Sequence, residues 1–373
     1  MTPIYLDYAA DTPPDEQVLS VYLDTARAHF ANPNSVHQSG ISAKEIVSQS
    51  LEKIADLLHI GTDEIILTSG ASEANNLAVK GIAFANRRRG KHIISTFLEH
   101  SSVSGALTFL QEQGWEIDLV NIKPDGTVDL NHLKSLMRQD TVLCAVCAVD
   151  SELGTVQPIR EIAEILDDFP NCRLHIDATQ AIGKTQVDLS CADTASFAPH
   201  KFYGLKGSGV LYKKKGIVLE PLIHGGASTT IYRSGTPDAP AAAALSAALQ
   251  YAVSDFDERL QNVVALNQKL RAYLAQYDRV RINSPVNSVP HILNLSVSGI
   301  KGEEMRRRLD ERGVCVSVKS ACSVPYTPSR AVMAISHERK NALSSWRISL
   351  SHLTTEQEIE QFTDILDQII SEG

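Results

Sequence analysis

Residues 173–180, Arg173-Leu174-His175-Ile176-Asp177-Ala178-Thr179-Gln180, form an apolar run that ends on a carboxylate and turns at once small and polar. A buried parallel strand fits that pattern, and its carboxyl end is where open α/β sheets bind ligands. A carboxylate placed there calls for a cationic partner, such as a protonated pyridine nitrogen, whose proton it would retain. An Asp in this place also serves as a helix N-cap, and the segment alone fits both readings equally.

Outward from this run, strand-like stretches at 64–68, 92–95, 141–149 and 209–212 alternate with stretches of helical length and apolar periodicity at 42–58, 72–86, 102–113 and 159–169. The alternation predicts an α/β fold with a mostly parallel central sheet covered by helices. An alanine-rich stretch, 239–253, predicts a buried helix. Beyond it the character changes to a polar helix at 255–277, strand-like runs at 291–298 and 314–318, and a last helix at 355–370, which predicts a smaller α+β domain. A chain of 373 residues exceeds the size at which one core stops growing. The expected division is a large domain over 15–253 and a small one made of 1–14 and 254–373.

Hydrophobic residues at 43% and charged residues at 21% exclude a disordered or fibrous chain. A formal charge of −9 gives nucleic acid or an anionic membrane no electrostatic reason to bind directly. Arg87-Arg88-Arg89 is short and closes a helical stretch, where cations complement the dipole, so it reads as a solvated helix end. No basic segment followed by an apolar core opens the sequence, and 239–253 is too short to span a bilayer, so a cytoplasmic protein is expected. Six cysteines without a leader read as reduced thiols. Cys144 and Cys147 lie three apart in a strand-like run and would face opposite sides, which fits apolar filler and not a metal pair. No metal is expected.

Two more stretches carry chemistry. Thr68-Ser69-Gly70-Ala71-Ser72-Glu73 joins a strand to a helix. Small residues there let backbone N–H groups approach a phosphate at the helix N-terminus, and Ser72 adds a hydroxyl; ordinary helix initiation fits the same residues. Lys201 follows Asp177 by 24 residues in Ala198-Pro199-His200-Lys201-Phe202-Tyr203-Gly204, just before a strand-like run. A lysine held among such residues can have its amine pKa lowered and condense with an aldehyde. Lys206 and Lys213-Lys214-Lys215 read as solvated surface lysines.

Phosphate turn, Asp and Lys in this order are more specific together than apart. With Asn32-Pro33-Asn34-Ser35-Val36-His37, Glu99-His100, Glu152-Leu153-Gly154-Thr155, Arg233-Ser234-Gly235-Thr236, Ser320-Ala321-Cys322 and Arg347-Ile348-Ser349-Leu350, the sequence resembles the NifS/IscS-type cysteine desulfurases of the class V aminotransferase group over nearly its whole length. The resemblance implies fold type I of the pyridoxal-phosphate enzymes and, residue by residue, a set of roles. Lys201 would form the Schiff base with pyridoxal 5'-phosphate, Asp177 would pair with the pyridine nitrogen, and Gln180 would bond the ring hydroxyl. His100 would stack on the ring and shuttle protons, while Ala71, Ser72 and His200 hold the phosphate. Thr236 would reach the phosphate from a partner subunit, implying a homodimer. Arg347 and Asn32 would bind the carboxylate of L-cysteine. For Arg347 the guanidinium suits a bidentate carboxylate, and a surface or interdomain salt bridge fits it as well. Cys322 stands at the family's nucleophile position, in a segment without helix or strand pattern. There it would take sulfur as a persulfide and pass it to an acceptor protein for iron–sulfur cluster assembly, thiamine synthesis or tRNA thiolation. Without the resemblance it would read as an inert loop cysteine.

Several positions depart from the family. Asp150-Ser151-Glu152 replaces Asn-Asn-Glu, leaving the Ser151 hydroxyl to contact the cofactor with shorter reach. Ala198-Pro199 removes a hydroxyl before His-Lys, 224–232 lacks the usual polar and arginine residues, and the segment from Cys322 to Pro328 is about one residue short. Lys319 replaces a small residue and could lower the thiol pKa. These changes point to a paralogue with specialised partner or substrate handling. The other readings are a selenocysteine lyase or another class V aminotransferase-type enzyme, and a non-catalytic scaffold that binds a sulfur-acceptor protein.

Overall fold

The computed structural model describes residues 3–226, 229–254, 256–319 and 326–372. In chain order the strands are β1 (Ile4–Tyr5), β2 (Ile65–Thr68), β3 (His92–Thr96), β4 (Glu116–Val120), β5 (Thr141–Cys147), β6 (Arg173–Asp177), β7 (Thr194–Phe197), β8 (Gly209–Lys213), β9 (Val280–Ile282), β10 (Ile292–Val297), β11 (Val314–Cys315) and β12 (Ser345–Ser349). The helices are α1 (Glu16–Ala28), α2 (Gln38–Leu58), α3 (Ala71–Asn86), α4 (Ser101–Glu112), α5 (Leu130–Leu136), α6 (Ile159–Leu166), α7 (Ala239–Val253), α8 (Phe256–Leu274), α9 (Gly302–Asp310), α10 (Arg330–Ser336), α11 (Arg339–Ser344) and α12 (Glu356–Glu372).

A seven-stranded sheet in the order β2-β8-β7-β6-β5-β3-β4 forms the centre. Pairing is parallel from β7 through β6, β5 and β3 to β4, and antiparallel where β8 meets β7 and β2. Every strand but β8 therefore points the same way, and their carboxyl ends converge on one edge. β5 is buried at every residue because helices cover both faces. Its Leu143 and Ala145 pack in the cluster with Leu77 and Ile82 of α3 and Leu110 of α4, while Cys144 and Val146 join the cluster on the other side.

A second apolar cluster lies around β10 and β12 and includes Ile4 and Leu6 from the start of the chain, Leu270, Trp346 and Phe362. β1 enters it by pairing in parallel with β11, and Ser349 at the end of β12 donates its N–H to the Leu6 carbonyl. The first residues are thus carried back across the chain toward the large sheet. Among the described residues no helix is long and apolar enough to cross a membrane.

Several sequence expectations shift. The run 141–149 ends as a strand at Cys147, with Val149 kept only in a bridge to Val156. The run 314–318 shortens to β11. Helix α3 starts at Ala71, one residue early. β4 and β7 were not expected: β4 carries Glu116 and Asp118 at the sheet edge, and β7 is Thr-Ala-Ser-Phe, whose small polar residues become strand only because β6 and β8 flank them. Lys213 is not a solvated lysine. It is buried at the end of β8, with its ammonium over the Tyr232 ring and donating to the Ile217 carbonyl at 3.1 Å.

Phe362 is fully buried against Trp346, with ring centroids 6.4 Å apart. Phe362→Ala should cost about 3–5 kcal/mol, seen as a lowered denaturant midpoint in a tryptophan-fluorescence titration.

Candidate active site

The carboxyl edge of the large sheet borders a cavity of about 370 Å³. Five of the converging strands deliver residues to it through the turns that follow them: β2 gives Gly70, Ala71 and Ser72, β3 gives Leu98 and His100, β5 gives Val149 and Ser151, β6 gives Asp177 and Gln180, and β7 gives His200 and Lys201. Arg347 of β12 closes the wall.

At one end lies the N-terminus of α3. Its N-cap is Gly70, at φ 155°, with no side chain capping the turn. Gly209 of β8 passes so close that a Cβ there would stand 2.6 Å from the Gly70 Cα, so glycine is required at 209 for space and at 70 for its backbone angle. Among the described residues no acceptor meets the N–H groups of Ala71, Ser72 or Glu73. Unpaired donors at a dipole's positive end suit a phosphate. Glu73 is turned away, accepting from the Ser69 N–H and paired with Arg233 at 2.9 Å. Burial opposes its ionisation, but those partners outweigh it and hold its pKa below the usual value.

At the other end Asp177 accepts from the Thr179 N–H at 3.0 Å and from Asn75 Nδ2 at 2.8 Å. No helix follows Asp177, so it is not a helix N-cap: one oxygen accepts from the N–H of the turn after β6, and the carboxylate lines the cavity. Asn75, four residues into α3, also donates to Ser102 Oγ at 2.9 Å and faces His175 Nε2 at 2.9 Å and the Ser196 hydroxyl. Ser102 in turn bonds His100 Nδ1 at 2.8 Å, and its N–H donates to the same nitrogen. A backbone N–H can only donate, so Nδ1 is the acceptor and the proton sits on Nε2. Burial lowers the His100 pKa further, which keeps the ring neutral.

Lys201 sits in a 3₁₀ turn, Pro199–Lys201, that follows β7. The N-terminal segment laces onto this turn: Thr12 Oγ1 donates to the His200 carbonyl at 2.9 Å and accepts from the Tyr203 N–H at 2.7 Å. Lys201 Nζ donates to the Ala9 and Ala10 carbonyls, at 3.0 and 2.5 Å. Burial, with Arg347 next in weight, pushes its pKa down to about 8. His200 is pushed down to about 4 by burial and by Lys201. Arg347 is fully buried, donating to the Ser151 carbonyl at 2.6 Å and to Asp7 at 2.9 Å, while its Nε has no partner among the described residues.

The structure thus brings together Ala71, Ser72, His100, Ser151, Asp177, Gln180, His200, Lys201 and Arg347. Asn32 does not line the cavity; it is exposed, and its side chain accepts from the Asn34 N–H. Thr236 is exposed and also lies off it. Cys322 lies outside the described residues. Its neighbours Lys319 and Thr327 line an adjoining cleft of about 360 Å³, which shares Leu98, His100 and Ser151 with the cavity. Lys319 Nζ donates there to Thr327, to the carbonyl at 2.9 Å and the hydroxyl at 2.8 Å.

Asn75, Lys184 and the Ala9 carbonyl were not singled out from sequence. Asn75 had a usable signal, since position i+4 from Ala71 lies on the same helix face. The anion-seeking helix end, the amine and the carboxylate form the donor set that pyridoxal phosphate needs for its phosphate, aldehyde and ring nitrogen.

Comparison with known proteins agrees. The family described as aminotransferase class-V matches residues 4–362. A NifS/IcsS protein homolog of Lactobacillus delbrueckii subsp. bulgaricus is 37% identical, over 98% of this chain and 97% of the relative. The cysteine desulfurase IscS of Dictyoglomus turgidum is 36% identical, over 98% of this chain and 94% of its own. A solved NifS-like protein superposes with a TM-score of 0.94 at 32% identity, covering 100% of both chains.

Two outcomes are expected. The neutral amine is the nucleophile and its fraction grows with pH, so the apo-protein should capture an aldehyde at a rate rising through a midpoint near 8, read by borohydride trapping on Lys201. Asn75→Ala leaves the buried Asp177 oxygen without its donor and should weaken cofactor binding roughly ten- to hundredfold, measured by equilibrium titration of visible absorbance.

Proposed function

Since the chain belongs to the class-V aminotransferase family, we propose that this pyridoxal-phosphate enzyme is an L-cysteine desulfurase that passes sulfur from Cys322 to an acceptor protein. The observation that carries the proposal is the single cavity joining the Lys201 amine, the Asp177 carboxylate and the open N-terminus of α3, beside a cleft lined by Lys319 and Thr327, which stand before and after Cys322 in the sequence. The names of the relatives, cysteine desulfurase among them, support it.

The cofactor, when bound, supplies a conjugated electron sink for the substrate's bonding electrons. Ala71, Ser72 and His200 would hold its phosphate end, Asp177 its ring nitrogen, and Lys201 its aldehyde carbon. Asp177, its carboxylate fixed in place by Asn75 and the Thr179 N–H, would keep a proton on that nitrogen. His100 lines the cavity, with its Nε2 3.5 Å from the Ser101 hydroxyl, and would relay protons there by cycling through its protonated form. Lys201, once its amine is free, is the nearby base, poised near 8. Arg347, with its Nε open, would receive the substrate carboxylate by loosening its contact with Asp7. Ser151 replaces a longer amide and contributes a hydroxyl at the wall.

Cys322, as thiolate, would attack the substrate sulfur; the new S–S bond forms as the carbon–sulfur bond breaks, leaving alanine after protonation of the carbon. The persulfide would then pass to an acceptor protein of iron–sulfur cluster, thiamine or tRNA thiolation chemistry. Thr236 and Asn32 lie off the cavity of one chain, which fits Thr236 acting across a homodimer.

Cys322→Ala should keep the visible colour of the bound cofactor and lose sulfide release from cysteine by at least a hundredfold, assayed with a thiol reductant. Undiminished release would assign the chain to the lyases or other members of the same family. A protein that stays colourless with excess pyridoxal phosphate would instead be a scaffold.

A further inference from the structure

Lys184 is buried behind the cavity, and its Nζ donates to Gln180 Oε1 at 2.5 Å. It stands near Lys201, Arg347, His200 and His291, and no carboxylate pairs with it among the described residues. Burial, with Lys201 and Arg347 adding to it, pushes its pKa well below the ordinary lysine value. Its one polar contact is therefore the feature to explain.

On the opposite side of the same amide, Gln180 Nε2 donates to the Ala9 carbonyl at 2.8 Å. That carbonyl also receives Lys201 Nζ. The two neighbours are complementary. The Lys184 amine donates to the amide oxygen, and the Ala9 carbonyl can only accept. Turning the Gln180 amide over would set its oxygen against the Ala9 oxygen and carry it away from the Lys184 amine, and both contacts would be lost. The amide has one stable orientation, with its oxygen held from behind by Lys184. One N–H of Nε2 is spent on Ala9, and the second remains for whatever occupies the cavity that Gln180 lines.

We propose that Lys184 is a positioning residue that locks the Gln180 amide so that it meets the bound cofactor only as a hydrogen-bond donor, and so holds the ring oxygen as an oxyanion. The proposal rests on the reading of the cavity as a pyridoxal-phosphate site. An oxygen that faces a donor alone must accept, and a donor there lowers its basicity. Loss of the lock should therefore raise the pH at which the proton shared by that oxygen and the nitrogen at Lys201 departs. Asp177, Asp7, Asp11 and Arg347 also act on Lys201, and they are unchanged by substitution at 184.

The test is a two-by-two set, wild type, Lys184→Met, Gln180→Ala and the double variant, each reconstituted with pyridoxal phosphate and titrated by visible absorbance against pH. Lys184→Met keeps an unbranched side chain of similar length and removes the donor to Gln180 Oε1. The midpoint should rise by about one unit in Lys184→Met, a tenfold change in acidity, and should not move further when Gln180→Ala is already present. Equal rises in both backgrounds would show a charge acting through space and overturn the proposal, as would no rise in either. If Lys184→Met does not fold, Lys184→Gln, which can donate or accept, replaces it under the same criterion. A wild-type protein with no visible band would sink the reading of the site itself, an outcome distinct from a band whose midpoint Lys184 does not control.

Discussion

The amide of Asn75 is the junction on which the site depends. It is fully buried, and both of its ends are engaged, through Asp177 and Ser102 on the nitrogen side and His175 and Ser196 on the oxygen side. A buried amide with every bond made is cheap to keep and expensive to disturb, because each lost bond strands a polar group away from water. Through it α3 is fixed against β6, β7 and the start of α4 at once. The helix end that offers N–H groups, the carboxylate and the imidazole then have a set separation.

Sheet direction supplies the rest. With β8 alone reversed, the other strands of the large sheet end on one edge, and all of them but β4 end in a turn that carries a side chain of the cavity. The opposite wall comes from far away in sequence. Asp7, Ala9 and Ala10 enter from the first residues and Arg347 from β12, held together by the Asp7–Arg347 pair, by Ser317 donating to Asp7, and by the pairing of β1 with β11. The same segment serves fold and site together, since the carbonyls of Ala9 and Ala10 are the acceptors for Lys201.

Crowding cations shape the chemistry. Lys201, Lys184 and Arg347 share one buried region, and burial with mutual repulsion favours the neutral amine at Lys201. That is the state in which it can attack an aldehyde. A buried carboxyl, Glu99, lies on the far side: burial raises its pKa to about 8, with Asp177 adding to the effect, while its Oε1 accepts from Thr96 and the Cys147 N–H.

Much was legible from sequence. The apolar run ending at Asp177, the small-residue turn before α3 and Lys201 among small and aromatic residues before β8 each announce themselves through local pattern, because strand ends and helix starts have local requirements. The alanine-rich helix 239–253 matches α7 residue for residue for the same reason. β7 was not legible, since Thr-Ala-Ser-Phe becomes strand only between two neighbours already in place, and Lys213 gave no sign of burial because its partners, Ile217 and Tyr232, are assembled by the fold. The sequence by itself determined which chemical groups are present and at which element ends they fall. Only the tertiary structure decided that Asn75 would orient Asp177, that Lys184 would stand behind Gln180, and that Asp7 would meet Arg347 across 340 residues of chain. Hydrogen bonds and ion pairs act over a few ångströms of space, and distance along the chain carries no record of them.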